Sequence, residues 1–163
     1  MTVELSRPID LSKVGAGGLR IEVTTRETER EALALRMGIP AVHALTCSYL
    51  ITRDPGGETF TAHGTLTGRV TRVCVVSAED FVTPIEDVFT IRFVPEGTEQ
   101  EDPDPDDDDE IPFSGTVIDL GEVTSEQLAL ALDPYPRMPG AVPPEVEDDG
   151  SSSPFAALRR GKT

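Results

Sequence analysis

Two histidines and two cysteines, His43, His63, Cys47 and Cys74, are the side chains in this sequence best suited to metal binding or nucleophilic chemistry. Their spacing argues against both. A zinc site gathers cysteine, histidine or carboxylate ligands at short intervals, whereas the histidines stand 20 residues apart on predicted strands. An activated thiol needs a base within hydrogen-bond reach. His43 and Cys47 fall at i and i+4 of one predicted strand, on the same face and too far apart for a direct bond. The glycine run "VGAGGLR" (14–20) has neither the lysine of a phosphate loop nor its strand-to-helix setting, so it reads as a turn. No acid, base, nucleophile or metal set converges, and the reading is of a protein that is not an enzyme and takes no cofactor or metal.

Charge is the stronger signal. The chain carries a formal −16, and "EQEDPDPDDDDE" (99–110) holds nine of its acids while "EVEDD" (145–149) holds four, which leaves only −3 for the rest. Runs of this kind repel themselves, favour disorder and suit basic partners; the plainer alternative is a solvated insertion that keeps the chain soluble. Arginine outnumbers lysine 12 to two. "TGRVTRV" (67–73) places Arg69 and Arg72 near each other, a candidate patch for phosphate, with Arg20, Arg53 and Arg92 on other predicted strands. The acidic runs oppose tight phosphate binding, and DNA is not an expected partner.

The elements that must position these residues follow from periodicity. "VELSRPIDL" (3–11) opens as a short strand, and "LRIEVTT" (19–25) alternates Leu19, Ile21 and Val23 against polar neighbours, the period of a half-buried strand. "TRETEREALALRMG" (25–38) reads as a helix with a thin apolar face at Leu33 and Met37, stopped by Gly38. Residues 41–76 form a hairpin around "DPGG" and a continuing strand, in which Gly64 and Gly68 mark bulges or sharp twist. "DFVTPIEDVFTIRFVPEG" (80–97) gives one or two further strands, with Phe89, Ile91 and Phe93 on one face and a break or an edge at Pro84.

The pattern is α+β: a β-rich antiparallel sheet with two flanking helices. Residues 1–141 read as one domain, interrupted by an acidic disordered loop at 97–110 with order resuming at Ile111. A flexible tail at 142–163 ends in "PFAALRRGK", a docking motif or a frayed end. The N-terminus lacks a secretory pattern and no run of some 18 apolar residues exists, so the expected location is cytoplasmic, with no membrane partner and the cysteines as buried thiols.

"GTVIDLGEVTSEQLALALDPYPRMPGA" (115–141) carries its own start and stop signals. Asp119 and Glu122 have the spacing of a capping box, with Thr124 or Ser125 as a later start. Leu120, Val123, Leu128, Ala131 and Leu132 share a helical face, and Asp133-Pro134 ends the run. The polar remainder, Glu122 and Glu126 with Tyr135 and Arg137 of the exit, is a candidate partner-binding surface.

This cassette, "CVVSAEDF" (74–81), and the opening "ELSRPIDLSKVGAGG" (4–18) with "EVTTRETEREALALRMGI" (22–39) together resemble the YceD family in its alphaproteobacterial form. These are small bacterial proteins linked to accumulation of large-subunit ribosomal RNA. The resemblance implies a non-enzymatic role in ribosome biogenesis that supports synthesis, processing or accumulation of 23S rRNA, with a basic large-subunit ribosomal protein or the rRNA as partner. Many members carry a Cys-x-x-Cys and a second cysteine cluster after the helix, a pattern suggestive of zinc. Here Cys74 holds the first place, Ser77 the second, and "PYPRMPGA" (134–141) has no cysteine, so metal is not expected and Cys74 is expected to be a core thiol. The alternative reading is a small interaction adaptor outside translation, docking through the cassette helix and "PFAALRR".

Overall fold

A computed structural model describes residues 3–102 and 104–143. Strand β1 (Pro8–Asp10) leads through a 3₁₀ turn (Leu11–Lys13) to β2 (Leu19–Thr24) and helix α1 (Glu27–Met37). Three long strands follow, β3 (Ala41–Arg53), β4 (Phe60–Val73) and β5 (Asp80–Pro95), and then β6 (Asp109–Phe113), β7 (Val117–Asp119) and helix α2 (Leu120–Ala131). The main sheet has the order β2-β3-β4-β5-β6, and β1 pairs with β7 in a separate two-stranded ribbon.

Strand alternation sorts the long strands into two faces. Val23, Cys47, Tyr49, Ala62, Leu66, Val70, Ile91 and Phe93 point inward and are buried, while Ser48, His63, Thr65, Thr67 and Arg69 point outward and are exposed. Leu33 and Ala34 of α1 and Leu120, Val123 and Leu128 of α2 close the inward core. Helix α1 ends as expected, with Gly38 at φ 66° and its N–H given to the carbonyls of Ala34 and Leu35.

Several expectations need correction. β6 runs parallel to β5, pairing Asp109 with Ile91 and Phe113 with Pro95, so the sheet is mixed. A parallel neighbour requires the chain to travel back along β5 before pairing, about 13 Å for four residues at roughly 3.3 Å each. The chain between Pro95 and Asp109 makes that return, and strand structure begins again at Asp109, two residues before Ile111. The segment does not leave the fold: Glu99, Asp104, Pro105 and Asp107 to Glu110 wall a cavity against α2.

Gly64 and Gly68 are not bulges. Both sit in unbroken register, and the irregularity lies on the partner strand between Val42 and Ala44. A Cβ on Gly64 would come within 2.2 Å of the Phe89 ring, and one on Gly68 within 2.7 Å of the Ala44 carbonyl oxygen. The glycines serve close approach. The extra residue of the true bulge is His43, which faces solvent while Cys47 is buried, so the two do not share a face. Pro84 lies within one continuous strand, on the stretch of β5 that β6 does not reach, where an edge tolerates proline.

At the start of α2 the Asp119 carboxylate accepts from the N–H of Gly121 at 2.9 Å and of Glu122 at 3.4 Å. The reciprocal half of the capping box is absent, because Glu122 turns instead to Arg36. The face of α2 that meets the protein is broader than its apolar stripe: Thr124, Ser125 and Gln127 are buried too. Thr124 and Ser125 satisfy their hydroxyls on the carbonyls of Leu120 and Gly121, and Tyr49 reaches Thr124 at 2.8 Å. The expectation of a flexible tail concerns residues that, from 144 onward and including "PFAALRR", lie outside the described ones.

A Cβ added at Gly121 would stand 2.5 Å from the carbonyl oxygen of Leu5, against backbone that cannot swing aside. Gly121→Ala is therefore expected to cost about 1–3 kcal/mol in urea unfolding. Gly17→Ala, with nothing within 4 Å, should change stability by less than about 0.5 kcal/mol. Equal effects at the two sites would refute the close-packing account.

The Arg7 guanidinium grips both oxygens of Glu29 at 2.8 Å, which holds the Glu29 carboxyl below its ordinary 4.5. The resulting stability is complete above the unfolded value and disappears as pH falls through the lower folded one. Glu29→Gln is expected to flatten the acid limb of a pH–stability curve below about 4.5; an unchanged limb would show that the pair contributes nothing there.

Candidate functional site

Between β6 and α2 the fold opens a groove. Its larger part, about 490 Å³, has Ile91, Ile111 and Leu130 on its apolar side and carboxylates from the 99–110 segment and Glu126 around them. A second cavity of about 290 Å³ shares Ile111 and Glu126 with the first and continues past Phe113, Val117 and Glu122. Among the described residues, neither part is lined by lysine, arginine or histidine. The local cause is topological: the parallel return lays the acidic run along the same helix whose exposed side carries Glu126.

The candidate partner-binding residues separate on this frame. Glu126 is exposed in the groove, while Glu122 beside it is bound to Arg36 at 2.9 Å, and Arg36 also reaches Glu4 at 3.3 Å. Arg69 and Arg72 do not form one patch. Arg69 stands on the outer face opposite Pro84, and Arg72 turns inward and donates to the Asp133 carbonyl at 2.7 Å. Arg72 and Arg137 share a smaller cleft of about 210 Å³ with Glu86 and Asp133. Tyr135 is 73% exposed and does not line that cleft. Of the other arginines, Arg53 stacks over the Phe60 ring at 4.9 Å, and Arg92 lies 3.8 Å from Asp54 and 3.6 Å from Glu110.

Cys74 is the buried thiol expected of it, at the edge of the core. It is 1% exposed yet stands apart from the main core cluster, under the turn that follows β4. That turn is closed by Ala78 N–H donating to the Cys74 carbonyl and Cys74 N–H donating to Glu79, both at 2.9 Å, with Ala78 at φ 59°. The exit from α2 docks on it: Val75 N–H donates to Pro136 O at 2.9 Å, and Met138 N–H to Cys74 Sγ at 3.4 Å. The two places where the family pattern would set cysteines, the Cys74–Ser77 turn and the residues after α2, thus meet in space. Donation from Ser77 and then from Met138 N–H lowers the Cys74 thiol to about 7, whereas burial pushes Cys47 up. The sequence cue for this cluster was present in Cys74-x-x-Ser77; what it lacked was the partner 64 positions away.

Residues 62–159, more than half of the chain, match the family described as large ribosomal RNA subunit accumulation protein YceD, and the chain belongs to that family. The description ties its members to accumulation of large-subunit ribosomal RNA. No curated protein and no solved structure matches. The matched span begins within β4 and includes the Cys74 turn, the acidic segment and α2, so both sides of the groove fall inside it. Among the described residues, no helix is long and apolar enough to cross a membrane, and no group of three or more His, Cys, Asp and Glu is placed to hold a metal ion.

Because one thiol is lowered and the other raised, a thiolate absorbance titration is expected to show one step near pH 7. It should vanish in Cys74→Ser and move upward in Ser77→Ala. A step that ignores Ser77 would remove the hydrogen-bond account of this turn.

Proposed function

We propose that the chain is a non-enzymatic, cytoplasmic accessory protein of ribosome biogenesis. It supports synthesis, processing or accumulation of 23S rRNA by engaging a basic large-subunit ribosomal protein through the groove between β6 and α2. The observation that carries this reading is the charge of that groove, which has carboxylates on its walls and no basic residue among the described ones. Such a surface attracts cationic protein and repels phosphate, with a strength that falls as salt rises. The family description supplies the ribosomal setting. A direct RNA patch at Arg69 and Arg72 loses support, since the two point to opposite faces.

Depleting the protein in cells is expected to lower 23S relative to 16S rRNA and to reduce free and assembled large subunits in sucrose gradients. In-cell crosslinking should recover a basic large-subunit protein, and Arg69→Glu with Arg72→Glu should leave that crosslink unchanged. Normal rRNA pools and subunit profiles after depletion would sink the proposal.

A further inference from the structure

The larger cavity holds more than diffuse acidity. Seven carboxylates are among its lining residues, and the neutral Gln127 stands with them. Gln127 is only 7% exposed, and among the described residues its side-chain amide makes no hydrogen bond, unlike its buried neighbours Thr124 and Ser125. A buried amide ordinarily finds partners for its oxygen and its nitrogen. Neither amide atom is sealed off without a partner, and the residue lines the cavity wall. Three residues along the same helix Leu130 is 70% exposed, an apolar surface next to the carboxylates.

We propose that this cavity is a seat for a single arginine side chain presented by an extended basic polypeptide. The guanidinium would donate to the carboxylates and to the Gln127 amide oxygen, and its methylene stem would lie along Leu130 and Ile111. Arginine suits the site because its planar fork serves several acceptors at once and its stem tolerates apolar contact. RNA does not fit, since its phosphates would meet the carboxylates. The inference rests on the proposed basic-protein partner and names the residue type and the place that receive it.

The test is fluorescence anisotropy on the full chain with a dye-labelled peptide of alternating arginine and glycine, read across a salt series. Gln127→Leu is expected to weaken binding about tenfold, the loss of one hydrogen bond to a charged group. Because glutamine is neutral, the slope of affinity against salt should not change. Glu126→Gln, at an exposed position that does not risk folding, is expected to weaken binding several-fold and to reduce the salt slope. Glu101→Gln with Asp102→Asn, acids of the same segment that do not line the cavity, should change affinity less than about twofold. The proposal is overturned if Gln127→Leu and Glu126→Gln both bind as the parent does. Equal loss in the Glu101 and Asp102 variant would overturn it as well. Normal rRNA in depleted cells would defeat the biological reading and leave these affinities standing, so the two failures are distinguishable.

Discussion

The Asp119 carboxylate is the fastening on which the placement of α2 depends. Its Oδ1 accepts from Arg7 N–H at 2.6 Å as well as from the first turn of the helix, and its Oδ2 accepts from Ser6 at 2.8 Å. The Arg7 carbonyl in turn accepts from Leu120 N–H at 3.0 Å, and the Arg7 guanidinium donates to Glu29 and to the Thr24 carbonyl. One side chain therefore caps a helix and ties together segments 112 positions apart, with a link onward to α1. Leu5, fully buried, sits against Gly121 only because the glycine leaves room for its backbone. Free N–H groups at a helix start would otherwise need water, and here the Asp119 carboxylate takes those of Gly121 and Glu122 while the Arg7 carbonyl takes that of Leu120.

The opposite end of α2 is fastened by different chemistry. Arg72 holds the Asp133 carbonyl, and the Cys74 turn takes the N–H of Met138 while giving Val75 N–H to Pro136. With both ends fastened, the side of the helix that carries Glu126 and Leu130 lines the groove beside β6. The acidic return from β5 then has one side of that helix to run along. Clustered like charges there oppose folding through mutual repulsion, and Arg92, between Asp54 and Glu110, is the described cation nearest to relieving it. A surface that raises the energy of the free protein in this way gains most when a cation arrives.

Local grammar made much of this legible. Gly38 ends α1, "DPGG" joins β3 to β4, Pro134 follows α2, and Phe89, Ile91 and Phe93 share a face, each the result of residues near in sequence. What escaped depends on distant partners. The parallel pairing of β6 turns a run that composition marks as disordered into a wall of the groove, and no local pattern announces it. The His43 bulge answers to the pairing of Val42 and Ala44 with Val70 and Arg69. The buried polar side of α2 is set by Tyr49 and the N-terminal backbone. One error was avoidable: three positions along a strand reverse the side-chain direction, so Arg69 and Arg72 were never placed to act together.

The aromatic residues argue further about how such a protein relates to ribosomal RNA. Sheets that bind single-stranded RNA present aromatic rings on an open face, where bases stack. In this sheet Tyr49, Phe60 and Phe93 are buried on the inner side, and Tyr49 meets Phe89 edge-on at 5.8 Å inside the core. The outer face offers Ser48, His63, Thr65, Thr67 and Arg69, of which His63 and Arg69 alone have a plane on which a base could stack. Its arginines are dispersed: Arg20 is in register with Leu50, Arg69 with Ala44 and Pro84, and Arg92 is near acids. Tyr49, Phe60 and Phe93 are thus committed to packing, while seven carboxylates gather in one groove, an arrangement better matched to a cationic surface than to stacked bases.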